Sequence, residues 1–325
     1  MAPTRQLRIV IPGGTGQLGN LLARHFHQQG HFVSTITRFP KACAWEAIHW
    51  DAETLGPWAS ALEGSDVVIN LAGRSVNCRY TRSNRRLIME SRVRTTELLG
   101  KAIWQCEQPP KVWLNASTAT IYRHALDRPM DEISGEIGGH EADAPPDWRF
   151  SIAVAEAWEE AFCSAQAGAT RKVVLRMGPV MSPDGGGIFD TLLRLVRFGL
   201  GGTNGSGRQY VSWIHDVDLV RAIEFLIARE DIAGVVNVTS PNPIPNKQFM
   251  CCLRRAWCTS YIGIPSPEWM LAIGAFVLRT EPELVLKSRR VIPGRLTHAG
   301  FDFHFPVWRG AAENLVERWR RMRLD

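Results

Sequence analysis

Apolar positions along the chain alternate between two rhythms, and the alternation predicts the fold. Leu7 to Ile11 is a short unbroken apolar run that ends in Pro12-Gly13-Gly14, the form of a strand buried on both faces and closed by a turn. From Gln17 to Gln29 the apolar residues Leu18, Leu21, Leu22 and Phe26 recur at helical spacing, and Gly30 closes the segment. Strand-like runs follow at His31 to Thr37, Ala47 to Trp50, Asp66 to Leu71, Lys111 to Ala116, Lys172 to Arg176 and Val235 to Val238. Between them the spacing predicts helices over Thr54 to Leu62, Asn84 to Gln105 and Ser151 to Ala167. Strands alternating with helices through short turns predict an α/β doubly wound parallel sheet of Rossmann type, covered on both faces.

Beyond Arg176 the texture changes. Gly185-Gly186-Gly187 and Gly199-Leu200-Gly201-Gly202 bracket one helix, and from Tyr261 onward short helical stretches are separated by prolines. The expected organisation is a Rossmann domain over residues 1–180 and a smaller α+β substrate lobe over 181–325, partly interleaved with it.

Composition narrows the class. The chain has 325 residues, 45% hydrophobic and 22% charged, which excludes a disordered chain. The net charge of +6 comes mainly from arginine, with its densest stretches at Arg82 to Arg94 and Arg318 to Arg323. Neither has the interleaved aromatics of a stacking platform, so they read as solvated helix faces and no nucleic-acid partner is expected. Seven cysteines form no C-x-x-C pair, which suits free thiols in a reducing compartment. No apolar run reaches the ~18 residues of a membrane span, and the start leads straight into a strand. A cytoplasmic protein with no membrane partner is expected, as monomer or homodimer.

Gly13-Gly14-Thr15-Gly16-Gln17-Leu18-Gly19 carries the strongest chemistry. This G-x-x-G-x-x-G follows a strand and opens a helix. Gly13 permits the tight turn, Gly16 lets backbone approach a pyrophosphate, and Gly19 lets the helix pack on the strand. Thr15, Gln17 and Leu18 stand at the helix N-terminus, whose unpaired N–H groups and dipole suit phosphate. The second strand ends Thr37-Arg38 with no acidic residue, where an NAD site would place a carboxylate on the ribose 2′-hydroxyl. Thr37 and Arg38 suit a 2′-phosphate, so the expected cofactor is NADP(H). Asn70-Leu71-Ala72-Gly73 ends another strand in small residues, against which a nucleotide can lie.

These motifs, with Asn115-Ala116-Ser117-Thr118-Ala119-Thr120-Ile121-Tyr122 at a strand end, resemble the extended short-chain dehydrogenase/reductase superfamily. The chain more closely resembles an atypical epimerase branch, described as NAD-dependent epimerase/dehydratase or nucleoside-diphosphate-sugar epimerase. Ser91-Arg92-Val93, Trp158-Glu159 and Ser212-Trp213-Ile214-His215 carry that likeness. Residues 261–325 resemble the small domain of unknown function appended to this branch. The resemblance implies cofactor contacts at Thr37, Arg38, Leu71, Ala72 and Arg92, and at Gly178-Pro179-Val180 beside the nicotinamide.

The superfamily's proton-transfer unit, a tyrosine with a lysine four residues later, is absent. Tyr80, Tyr122, Tyr210 and Tyr261 are followed at that distance by Asn84, Leu126, Ile214 and Pro265. In the corresponding helix the pair falls on Phe150 and Val154, or on Ser151 and Ala155. The catalytic candidates are therefore Thr118, its neighbour Ser117, and the phenol of Tyr122. Glu132, Glu136, His140 and Glu141 precede that helix in a loop, and Glu156 lies on it. His215 reads as a structural histidine with Asp216 or Asp218 capping the next helix. No residue set has metal-ligand spacing. Two functions stay open: an NADP(H)-dependent oxidoreductase or epimerase acting on a small molecule, and a non-catalytic NADP(H)-binding sensor or scaffold.

Overall fold

The computed structural model of the chain describes residues 5–142, 144–257, 264 and 286–323. Seven parallel strands form its main sheet: β1 (Arg8–Pro12), β2 (Phe32–Thr37), β3 (Glu46–His49), β4 (Val67–Asn70), β5 (Val112–Thr118), β6 (Arg171–Met177) and β10 (Gly234–Val238). Their order is β10-β6-β5-β4-β1-β2-β3, so the chain reverses direction across the sheet between β1 and β4. In a doubly wound sheet such a switch point opens a crevice at the strands' C-terminal ends.

Alternation along each strand builds the two layers. Ile9 and Ile11 join one core with Leu22 and Phe26 of α1 (Gln17–Gln28) and Ile223 of α5 (Asp216–Ala228). Val10 faces the other core, with Leu99 of α2 (Arg82–Trp104) and Phe162 of α3 (Pro146–Ser164). Burial on both faces is why these strands read as continuous apolar runs.

Three boundaries differ from the sequence pattern for local reasons. The segment predicted as a helix from Thr54 is a 3-10 turn over Pro57–Leu62, because the Asp51 carboxylate accepts the Glu53 and Thr54 amides and delays the turn. Helix α3 begins earlier than expected, since Pro146 at its first position suits a helix start. Strand β5 runs on to Thr118 because Ser117 and Thr118 pair with Arg176 and Met177.

The C-terminal part contributes β10 to the main sheet and α5 to the layer packed on it, and builds a lobe of its own. There β7 (Val180–Met181) pairs with β9 (Ile214–His215), and β8 (Tyr210–Val211) with β11 (Ile244–Pro245). α4 (Ile188–Arg197), α6 (Asn246–Trp257) and α8 (Trp308–Arg321) enclose a core in which Phe249 stacks on Trp308 at 3.9 Å. A short helix, α7 (Gly294–His298), packs beside β10. Most of the tract expected to be helical from Tyr261 lies outside the described residues.

Candidate active site

The glycine-rich turn sits at the switch point. Gly13 has φ +82°, and a Cβ there would come within 2.7 Å of the Leu71 carbonyl and the Ala72 amide. The turn after β1 therefore lies directly against the turn after β4, forming the crevice floor. A Cβ on Gly14 would meet Thr35 at 2.4 Å, and one on Gly19 would meet Gly14 Cα at 2.5 Å. At Gly16 the nearest atom would be 3.4 Å away, so its outer side stays open. Helix α1 starts at Gly16 with no side-chain cap, leaving its first amides facing the crevice side. Beside the turn opens a depression of about 460 Å³ lined by Thr15, Gln17, Asn20, Arg24, Trp45, Asp184 and Gly185. A similar depression, about 490 Å³, includes Arg8 and Phe32 at the opposite end of the strands, away from these groups.

At the end of β2, Thr37 is buried and its hydroxyl lies 2.9 Å from that of Thr15. Arg38 is exposed and forms no ion pair among the described residues. On the other side of the turn, Arg92 packs against Gly73, donates to the Ile88 carbonyl at 3.1 Å and lies 5.1 Å above the Trp158 ring. Burial pushes its guanidinium down to about 10, and no carboxylate pairs with it among the described residues. Leu71 is half-buried and Ala72 buried. Gly178 and Val180 are buried too, and the Val180 side chain belongs to the main core.

The two hydroxyls at the end of β5 point to opposite sides, as strand pleating requires. Thr118 is half-exposed, and its oxygen accepts the Thr120 amide at 3.1 Å. Ser117 is buried and donates to Glu159 at 2.5 Å. Glu159 forms a two-pronged ion pair with Arg176, at 2.8 and 2.7 Å. Arg176 also donates to the Tyr122 hydroxyl at 3.0 Å, and that hydroxyl donates to Asn237 at 2.9 Å. Ser117 and Tyr122, two of the catalytic candidates, thus belong to a buried polar network. Their hydroxyls are consumed there, and burial raises the Tyr122 phenol, with Arg176 only partly opposing it.

The face of α3 that would carry a Tyr/Lys pair is apolar. Phe150 meets the Tyr80 ring edge-on at 5.2 Å, and Val154 packs with Tyr80 and Ile88. Ala155 is fully buried with Ala119 and Ile121. Glu156 is exposed. Glu132 is tied by the Asn237 and Arg295 amides, while Glu136 pairs with Arg123 and Arg128, and Glu141 accepts the Gly139 amide at 2.6 Å. His215 is fully buried, and the Val217 amide at the start of α5 is accepted both by its Nδ1 at 3.1 Å and, as expected, by the Asp216 carboxylate at 2.9 Å. Asp216 also pairs with Arg318, while Asp218 accepts the His304 and Phe305 amides.

Sequence reasoning missed what borders Thr120, two residues beyond Thr118. The Lys287 amine donates to the Thr120 carbonyl at 2.7 Å, and Arg289 donates to the Thr120 hydroxyl at 3.0 Å. Both cations are buried. A separation of more than 160 residues left no local signal for this contact. Among the described residues no group of acids, histidines and cysteines could hold a metal. No helix there is long and apolar enough to cross a membrane.

The parallel sheet, its switch-point crevice and the glycine-rich turn define a Rossmann-type fold of the short-chain dehydrogenase/reductase class. The NAD dependent epimerase/dehydratase family model matches residues 9–239, and the domain of unknown function DUF1731 matches residues 266–315. The chain belongs to that epimerase/dehydratase family. Human epimerase family protein SDR39U1 is 31% identical over 95% of this chain and 100% of its own length. A Staphylococcus saprophyticus epimerase family protein is 33% identical, over 94% of this chain and 98% of its own. The crystal structure of human SDR39U1 (isoform2) with NADPH superimposes with a TM-score of 0.83 at 30% identity, covering 96% of this chain and 99% of that one.

Proposed function

We propose that this chain binds NADP(H) and acts as an oxidoreductase or epimerase on a small carbonyl or sugar-like molecule, without the usual Tyr/Lys pair. The observation that carries the reading is the end of β2, where Thr37 and exposed Arg38 stand beside Thr15 with no acidic residue before Glu46. A 2′-phosphate suits that pair, whereas a bare ribose would call for a carboxylate. The human relative solved with NADPH supports the same cofactor.

The turn fits such a group, because Gly13, Gly14 and Gly19 are packed where any side chain would collide while Gly16 stays open. Gly13, Thr15, Gly16, Gln17, Leu18 and Gly19 would hold the pyrophosphate, largely through backbone N–H groups. Leu71, Ala72, Gly73 and Arg92 would border the adenosine side, and the Gly178 to Val180 backbone the nicotinamide side. When bound, the nicotinamide supplies hydride transfer. Thr118, half-exposed and already accepting a backbone amide, keeps its proton free to donate to a developing oxyanion.

A second reading, a non-catalytic NADP(H) sensor or scaffold, is favoured by one specific observation. Both α3 registers for the missing pair carry no phenol and no amine, and Ser117 and Tyr122 are consumed in the core. Side-by-side fluorescence titration with NADPH and NADH tests the cofactor. NADPH should bind at least ~10-fold tighter, about 1.4 kcal/mol, and Arg38→Ala should abolish that difference. Equal weakening of both cofactors by Arg38→Ala would refute the 2′-phosphate assignment. Turnover of an identified substrate that survives Thr118→Ala would remove Thr118 from the chemistry.

A further inference from the structure

The net charge of the whole chain, +6, equals that of one short stretch. Residues 73–94 contain seven arginines and a single acid, Glu90. The sequence pattern alone reads this as a solvated helix face, but its place in the fold is more specific. The stretch leaves the crevice at Gly73, which packs on Arg92, and crosses to the N-terminal end of α3. There Arg85 pairs with Asp147 and lies 4.7 Å above the Phe150 ring. The stretch therefore runs from the crevice edge at Gly73 to the N-terminal end of α3.

Arg74, Arg79, Arg82 and Arg86 are all exposed along this stretch. Arg94 is already matched by Glu90, one turn away. The side chains of Arg82 and Arg86 form no ion pair or hydrogen bond among the described residues, so their charge is spent on no fold contact. A cleft edged by one sign of charge concentrates counter-charged ligands and raises their association rate, over a range set by the Debye length of ~10 Å at 0.1 M salt.

We propose that this arginine rim is an electrostatic funnel for the phosphate-bearing dinucleotide. It draws the polyanion into the crevice, and Arg82 and Arg86 act on the approach and make no lasting contact. The inference rests on the NADP(H) reading and adds to it a route of capture. Rim charges that steer change the association rate and its salt dependence, whereas contacts in the complex change dissociation.

Stopped-flow mixing of the full chain with NADPH tests this, comparing the unmodified protein with Arg82→Gln/Arg86→Gln and Arg82→Lys/Arg86→Lys. At low salt the glutamine pair should associate about 5-fold more slowly, with dissociation unchanged within about 2-fold. The lysine pair, which keeps the charge, should associate like the unmodified protein. The difference should vanish at about 0.5 M salt. An unchanged association rate in the glutamine pair overturns the funnel while leaving the cofactor reading intact. A matching rise in dissociation overturns it too, since the arginines would then be bound contacts. Failure of the unmodified chain to bind NADPH at all overturns the cofactor reading and this inference with it.

Discussion

Replacing Arg176 with methionine tests whether the buried network under the site is held by charge pairing. The guanidinium and the Glu159 carboxylate are only 11% and 12% exposed and meet through two bonds of 2.8 and 2.7 Å. Arg176→Met keeps much of the packed volume but strands Glu159 with Ser117 as its one remaining partner among the described residues. Breaking a buried pair from one side costs about 3–5 kcal/mol, because the leftover charge is desolvated. The Tyr122 hydroxyl loses a donor but keeps Asn237, so it adds no more than about 1 kcal/mol. Removing both charges together, in Arg176→Met/Glu159→Gln, should cost less than the arginine substitution alone. A double-mutant cycle from urea unfolding, followed by tryptophan fluorescence, should give a coupling of at least ~2 kcal/mol. A single-variant loss below ~1 kcal/mol, or additivity within ~0.5 kcal/mol, would refute the reasoning.

Gly13→Ala should weaken NADPH binding more than ~10-fold, because the added Cβ meets the Leu71 and Ala72 backbone at 2.7 Å in a left-handed conformation. Titration of a variant with native circular dichroism checks this, and wild-type affinity would contradict it. Burial pushes the Asp216 carboxyl up, but hydrogen bonds and charge from His215 and Arg318 outweigh it and hold the group well below the ordinary carboxylate range. A depressed folded value means that the stabilisation is present above the unfolded pKa of about 3.9 and is lost as pH falls further. Asp216→Asn should therefore be less stable than the unmodified chain at pH 7 and lose less stability between about pH 4 and 2. Parallel urea curves across that range would argue against it.

The sheet was legible because its signals are local. Each strand is buried on both faces and reads as a short apolar run, and the helices between them carry their own period. The glycine-rich turn was legible for the same reason. Its glycine spacing is read within seven residues, although Gly13 itself answers to the turn after β4, while Gly14 answers to β2 and Gly19 to the turn. The chemistry beside Thr118 was not, because the groups that shape it come from distant parts of the chain. Lys287 and Arg289 reach Thr120 from the C-terminal segment, and Asn237 reaches Tyr122 from the last strand of the sheet.

The sorting of Ser117 from Thr118 shows where a sharper reading of the sequence was available. Side chains on a strand alternate, so once β5 extends through both hydroxyls only one of them can face the crevice. Trp113, Asn115 and Ser117 share a parity, and Asn115 and Ser117 bond toward Asn70 and Glu159, on the side of α2 and α3. Leu114, Ala116 and Thr118 share the other, and only Thr118 among them is not fully buried. The Arg176–Glu159 pair then does for the fold what a catalytic pair would do for chemistry: it spends two charges, a hydroxyl and a phenol on fixing the end of β5. Under the proposed function, Thr118 is the hydroxyl of β5 that this network leaves over to donate a proton. For that reason Thr118→Ala separates the enzyme from the sensor more sharply than any substitution within the network.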